Sequence, residues 1–285
     1  MRMWNSAVLE TVDELREKLQ SYPSGTQVGL VPTMGALHHG HGSLVSRSLQ
    51  ENNVTVVSVF VNPKQFNNPD DLKKYPRTLE KDIDLLNQLG EVIVFAPSVE
   101  EMYNEEYTDV CIDLGELANV MEGVNRPGHF EGVLNVVNRL FEIVQPNKAY
   151  FGLKDFQQVA VIHALVKGTQ SSVEVVECEI IREESGLASS SRNLRLTEKQ
   201  KEDAVLIIQA LRVAKFFAGQ MSVQEVQDII EKRFKDSPLE LEYFTIVHPR
   251  TLQPINEWLP GAHACVVACA GEVRLLDNLQ LLPLK

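Results

Sequence analysis

Cysteine is scarce: four residues among 285, at Cys111, Cys178, Cys265 and Cys269. Cys265 and Cys269 alternate along one strand-like run and would share a face. A metal pair there would need two further ligands with suitable spacing, and none is found. The four are read as buried reduced thiols, which fits a reducing cytoplasm. Long apolar runs are also missing. Nothing approaches the roughly 20 residues of a membrane span. No basic start followed by an apolar stretch marks a secretion signal. Basic residues are the minority, 27 Lys and Arg against 39 Asp and Glu, a net charge of -12. That balance argues against a broad nucleic-acid surface. The chain carries no repeat and no low-complexity tract. It has no G-x-x-x-x-G-K-[ST] phosphate loop and no G-x-G-x-x-G fingerprint. Nor is there a Ser-His-Asp set or a nucleophile elbow.

What remains is an ordinary globular composition, 44% hydrophobic and 23% charged, with a regular alternation of elements. Thr11, three residues before Glu14, opens a helix with a capping box. Apolar, β-branched runs over 27–32, 54–62, 91–97, 148–152 and 173–181 read as strands. Helix-spaced patterns lie between them, over 42–52, 78–90, 131–145 and 155–168. This pattern predicts an α/β domain with a Rossmann-like, doubly wound parallel sheet over residues 1–182. Beyond it two helices, 197–218 and 222–235, precede strands near 240–248 and 263–276. That texture predicts a second, smaller α+β domain over 183–285.

In open α/β sheets ligands bind beyond the carboxyl ends of strands. Four polar segments stand just there, and a fifth precedes a helix. "PTMGALHHGH" follows the first strand. His38 and His41 are three apart at a helix start, where unpaired N–H groups and the dipole favour anions. Two imidazoles there suit a polyphosphate; His39 reads as a spacer pointing away. A plain surface loop is the simpler alternative, and a zinc site lacks a third ligand. "FVNPKQFNNPDDLKK" follows the second long strand. Its Gln65 can donate and accept, as a hydroxy acid requires, while Asp70, Asp71, Lys73 and Lys74 read as a solvated face. "RPGHFEGV" places Arg126 and His129 about a tight turn, either to orient a substrate or to hold the loop. "FGLKDFQQ" offers Lys154 for phosphate, Asp155 for ribose hydroxyls or for helix capping, and Gln158 one turn on. "SGLASSSRN" offers Ser189, Ser190, Ser191 and Arg192 to a phosphate chain, or is a Ser-rich linker.

Together, in this order, these segments resemble the pantothenate synthetase (pantoate–β-alanine ligase) family, of the nucleotidyl-transferase superfamily with its His-x-Gly-His signature. The likeness spans residues 31–193 and includes "YPR". It implies an ATP-dependent ligase. The carboxylate of pantoate attacks the α-phosphate, giving pantoyl adenylate and pyrophosphate. The amine of β-alanine then releases AMP. ATP is the nucleotide substrate, with Mg²⁺ beside it and no metal held by the protein alone. The resemblance assigns Met34, Gly35, Ala36, Leu37, His38, His39, Gly40 and His41 to the ATP site. Gly152, Leu153, Lys154, Asp155 and Ile181 join them, as do Ser189, Ser190, Ser191 and Arg192. His38, His41, Lys154 and Arg192 would be catalytic, His41 as a proton donor. Gln65 and Gln158 would hold pantoate, with Gln65 also near β-alanine. A cytoplasmic homodimer is implied, whose C-terminal domain acts as a lid hinged near 182–188. Two departures stand out. Ser185 replaces the Asp that usually precedes Gly-Leu-Ala, and Asn135 stands where Thr is common. A different nucleotidyltransferase would share the histidine turn but not Gln65 and Gln158 in these contexts. A non-catalytic nucleotide-binding module would not need these charged groups, and a tRNA-charging enzyme would need an RNA platform.

Overall fold

The computed structural model describes residues 6–284, which divide into two compact units. The first comprises the described residues through Ala118, then Glu122–Leu153 and Gln158–Glu179. The second comprises Asn119–Met121, Lys154–Gln157 and the chain from Ile180 onward.

The elements lying wholly or mostly in the first unit run β1 (Ala7–Leu9), α1 (Val12–Gln20), β2 (Val28–Thr33), α2 (His39–Glu51) and β3 (Val54–Val59). Next come α3 (Pro69–Lys74), α4 (Leu79–Leu89), β4 (Ile93–Phe95), α5 (Val99–Met102) and α6 (Met121–Asn125). Then follow α7 (His129–Val144), β5 (Lys148–Gly152), α8 (Phe156–Gly168) and β6 (Glu174–Cys178). The six strands are all parallel and ordered β1-β4-β3-β2-β5-β6. Parallel strands need crossovers, and helices bury both faces of such a sheet. Consecutive residues therefore serve opposite cores. Leu30, Val56, Ile93 and Ala149 pack with α1, α7 and α8. Their neighbours Val31, Val57, Val94 and Tyr150 pack with Leu44 and Val45 of α2 and Leu86 of α4. This is the expected doubly wound sheet. Its winding reverses between β2 and β5, the point at which such sheets bind ligands.

One boundary differs from the sequence reading, and it matters. The histidine turn is expected to precede the helix, but α2 already starts at His39. His38 is its N-cap, in extended backbone, and its Nδ1 accepts the Gly40 N–H at 3.1 Å. An imidazole takes the role usually left to Ser, Thr, Asp or Asn, so no standard capping signal marks the start. β3 likewise ends three residues early. Asn62 caps a 3₁₀ turn, Pro63–Gln65, by accepting the Lys64 N–H.

The second unit holds α9 (Glu198–Phe217), α10 (Val223–Lys235), β7 (Glu240–Val247), β8 (His263–Ala270) and β9 (Val273–Gln280). The run expected at 263–276 is two antiparallel strands turned at Gly271, whose φ of +60° suits glycine. Ala264, Val266 and Ala268 pack with Ile207, Leu211 and Ile230 of the helices. Cys265 and Cys269 lie on the alternate face of β8, and all four cysteines are free thiols. Cys111 is exposed, a correction to its reading as a buried thiol, because it lies in the irregular stretch before α6 rather than in a core strand. Among the described residues no helix is long and apolar enough to cross a membrane.

A polar cluster ties α2 to β5. Glu51 accepts from Arg47 Nε at 2.9 Å, from Lys148 Nζ at 3.0 Å and from the Tyr150 hydroxyl at 3.0 Å. The Arg47 bond, then that of Lys148, holds the Glu51 carboxyl down from 4.5 to about 2. Burial pushes the Tyr150 phenol up to about 12, which keeps it a donor. A carboxyl depressed on folding stabilises the fold above its unfolded pKa, and that contribution is lost as pH falls through the folded value. The wild-type protein is thus expected to lose stability between about pH 4.5 and about pH 2 with a steepness that Glu51→Gln reduces. Acid titration followed by circular dichroism measures this, and superimposable curves would rule the linkage out.

Candidate active site

At the end of β2 the backbone must turn sharply to enter α2. Thr33 Oγ1 donates to the Ser58 carbonyl at 2.6 Å and accepts the Gly35 N–H at 3.1 Å. Gly35 and Ala36 then take left-handed backbone, φ +78° and +50°. For Ala36 that conformation costs roughly 1–2 kcal/mol. Asp82 of α4 offsets it. Its Oδ2 accepts the Ala36 N–H at 3.0 Å and its Oδ1 the Leu37 N–H at 2.7 Å. Thr78 donates to the same carboxylate at 3.2 Å, and Asp82 is 2% exposed. This turn delivers His38 and His41 to the first turn of α2 with ring centroids 4.1 Å apart. His38 and His41 are half-buried, whereas His39 is exposed. The ring contact likewise joins His38 to His41. Because Nδ1 of His38 accepts from Gly40, the neutral ring carries its proton on Nε2.

The turn after β3 lies beside this one. Gln65 is buried, and its Nε2 lies 3.0 Å from Met34 Sδ. Asn62 Nδ2 donates to Gln65 Oε1 at 3.1 Å and to the Gly132 carbonyl at 2.9 Å. Asn62 Oδ1 accepts from the Tyr103 hydroxyl at 2.8 Å; burial raises the Tyr103 pKa and so keeps that proton in place. His129 Nδ1–H donates to the Gln65 carbonyl at 2.8 Å, while its Nε2 accepts from Arg126 Nη1 at 3.0 Å. Arg126 also reaches the Gln65 carbonyl at 3.4 Å and Glu122 at 3.7 Å. Of the two roles open to Arg126 and His129, holding the loop is the one these bonds display. Gly132 lets α7 approach this turn closely. A Cβ there would sit 2.3 Å from the Lys64 carbonyl oxygen. Gln158 stands half-buried on α8, and Gly152 ends β5 with open space where a Cβ would sit.

Asp82, Asn62, Tyr103 and Gly132 thus shape the site, and no motif singled out their contacts. The signal available for Asp82 was its place on the apolar stripe of α4, three residues after Leu79 and four before Leu86. The departure at Asn135 is also explained. Its Oδ1 accepts from the Tyr107 hydroxyl at 2.7 Å and the Val110 N–H at 2.8 Å, pinning the irregular segment over α7.

In the second unit, Lys154, Ser190 and Arg192 line one small cavity with Asn193 and Asp277. Lys154 Nζ is 4.0 Å from the Asp155 carboxylate, and Asp155 is exposed. Ser190 caps the 3₁₀ turn Ser191–Arg195 by accepting the Arg192 N–H at 3.2 Å. Ser189 and Ser191 are buried. The Ile181 carbonyl accepts the Ser189 N–H at 2.9 Å. Ser185 Oγ accepts the Leu187 N–H at 3.3 Å, so the serine still supplies the turn acceptor that an aspartate would. Among the described residues no group of three or more His, Cys, Asp or Glu side chains is placed to hold a metal ion.

A family model described as pantoate-β-alanine ligase matches residues 7–280. A pantothenate synthetase of Bacteroides thetaiotaomicron is 50% identical over 277 residues, 96% of this chain and 98% of that protein. The crystal structure of pantothenate synthetase from Thermus thermophilus superposes with a TM-score of 0.91 at 44% identity, covering 97% of this chain and 100% of that one. A pantoate-β-alanine ligase from Francisella tularensis, solved with β-γ ATP and β-alanine, gives 0.82 at 35% identity, covering 97% of this chain and 98% of that one. With the fold, the order of the motifs and these relatives in agreement, the chain belongs to the pantoate–β-alanine ligase family.

Proposed function

We propose that this chain condenses pantoate with β-alanine, driven by ATP, through a pantoyl adenylate. The observation that carries the reading is the adjacency of the histidine turn and the glutamine turn. Met34, which opens the first, lies against Gln65, which closes the second, at the reversal of the sheet. A nucleotide on the first and a hydroxy acid on the second would be neighbours.

Adenylate formation needs alignment and charge neutralisation rather than a protein nucleophile. The pantoate carboxylate oxygen bonds to the α-phosphorus as the bond to the β-phosphate oxygen breaks. Pyrophosphate leaves with the electron pair. His38 and His41, at the dipole-positive end of α2, donate to oxygens on which charge grows. Lys154 and Arg192 neutralise the phosphate chain, and Ser189, Ser190 and Ser191 donate to it. Met34–His41, Gly152, Leu153 and Ile181 complete the nucleotide contacts, with Asp155 at ribose. Gln65 and Gln158 hold pantoate. The β-alanine amine, delivered beside Gln65, then attacks the acyl carbon and AMP departs. The acyl adenylate hydrolyses readily, so water must be excluded. Mg²⁺ bound to the ATP phosphates would add to the charge neutralisation that Lys154 and Arg192 supply. Family membership also supports a homodimer working in the cytoplasm.

An assay omitting each substrate in turn tests this directly. Exchange of labelled pyrophosphate into ATP must require pantoate and not β-alanine. Pantoate-independent exchange would assign the site to another nucleotidyl transfer. Gln65→Ala is expected to raise the KM for pantoate by about tenfold, the scale of one or two polar contacts, with the KM for ATP little changed. Unchanged pantoate saturation would remove Gln65 from that role.

A further inference from the structure

Two adjacent residues of β9, Asp277 and Asn278, are each 3% exposed, a rare burial for such polar groups. Neither belongs to the motifs that carry the proposed reaction. Asp277 accepts both arms of the Arg182 guanidinium, Nη1 at 2.6 Å and Nη2 at 3.0 Å. The same guanidinium donates to the Gly186 carbonyl at 3.2 Å and to the Asn278 carbonyl at 3.4 Å. Arg182 also bridges to Ala188, and Glu183 N–H donates to the Leu187 carbonyl at 2.8 Å. These bonds close the loop that leads directly into Ser189–Arg192.

Asn278 reaches a different segment. Its Nδ2 donates to the Lys154 carbonyl at 2.9 Å. Its Oδ1 must therefore accept, and His263 Nε2–H donates to it at 2.8 Å. Burial lowers the His263 pKa, in keeping with a neutral ring that carries its proton there. That ring stacks on Phe156, centroids 4.0 Å apart and planes within 7°. So the Lys154 turn is held at its backbone by Asn278 and at Phe156 by His263.

We propose that Asp277 and Asn278 are positioning residues for the nucleotide, one fixing the loop before Ser189–Arg192 and the other the turn that carries Lys154. Side by side on one strand, they set the spacing of two segments well separated in sequence whose Lys154, Ser190 and Arg192 line the same cavity. A buried bidentate pair is costly to desolvate and gains little net stability. What it supplies is a fixed geometry, because the guanidinium fork donates to its carboxylate in only a narrow range of orientations. Neither residue needs to touch substrate. The effect runs through the loop and the turn.

This inference rests on the reading of Lys154 and Arg192 as ATP-binding groups, and the experiment separates the two. Binding of a non-hydrolysable ATP analogue is measured by calorimetry, alongside the KM for pantoate and the thermal midpoint. Asn278→Asp keeps the shape but removes the donor to Lys154. Arg182→Lys keeps the charge but removes the fork. Each is expected to weaken analogue binding by about tenfold, the upper range for a single hydrogen bond, while the pantoate KM stays within about twofold. Lys154→Ala is the reference. If it leaves analogue binding unchanged, the ATP reading of that residue fails. If it weakens binding while Asn278→Asp and Arg182→Lys lower only the thermal midpoint, the positioning role is overturned. Arg182→Lys, at a side chain 20% exposed, carries the same test should Asn278→Asp not fold.

Discussion

His41→Ala is expected to slow adenylate formation by about 10²-fold or more, the scale for a positioned donor or electrostatic group. That is about 2.7 kcal/mol of transition-state stabilisation. The substitution is informative because it spares the helix. The N-cap of α2 is His38, whose Nδ1 accepts the Gly40 N–H, and not His41. Removing His41 therefore deletes an imidazole from the anion-favouring end of α2 without uncapping it. His38→Ala is less clean, since it also removes the cap, which typically contributes about 1 kcal/mol. Pantoate-dependent pyrophosphate exchange measures the step, with circular dichroism confirming the fold. Near-normal exchange in folded His41→Ala protein would reject a catalytic role for that ring.

Asp82→Ala should be nearly as damaging, for a different reason. Its carboxylate accepts the N–H groups of both Ala36 and Leu37 in a buried setting. Truncation removes the carboxylate that accepts from two backbone N–H groups, at about 1–3 kcal/mol each. It also releases a left-handed Ala36 that is strained without those bonds. The expected outcome is a loss of about 2–5 kcal/mol in stability, read from urea unfolding. In the fraction still folded, kcat falls more than the substrate KM values rise, because the turn that aims His38 and His41 is no longer fixed. Asp82→Asn separates shape from charge. It keeps one acceptor oxygen but turns an amide N–H toward a backbone N–H, so it should recover only part of either loss. Wild-type stability and kcat in Asp82→Ala would mean that β2 and α2 alone define the turn.

The sheet was legible because burial on both faces leaves a strong signature. β3 is a β-branched run, and the intervening helices follow a 3.6-residue spacing that the strands do not share. Thr11 and Glu14 announce α1, and the same pattern recurs at Thr197 with Gln200 and Ser222 with Glu225. Short elements were illegible. β1 has three residues and takes its place only by pairing with β4. The start of α2 was hidden because a histidine caps it. β8 and β9 read as one run because a single Gly271 turn separates two equally apolar strands.

By itself the sequence determined the alternation of elements, the order of the motifs and the side chains able to meet a triphosphate and a small acid. These follow from local periodicity and from residue chemistry, which the linear chain carries in full. Only the tertiary structure decided what holds those side chains still. Asp82 lies 45 residues from the Leu37 it clamps, His129 lies 64 from the Gln65 whose carbonyl it binds, and Asn278 lies 124 from Lys154. Each of these bonds is chosen by long-range packing, because a buried polar group must find a partner wherever the fold brings one within reach. No local pattern encodes which partner that is.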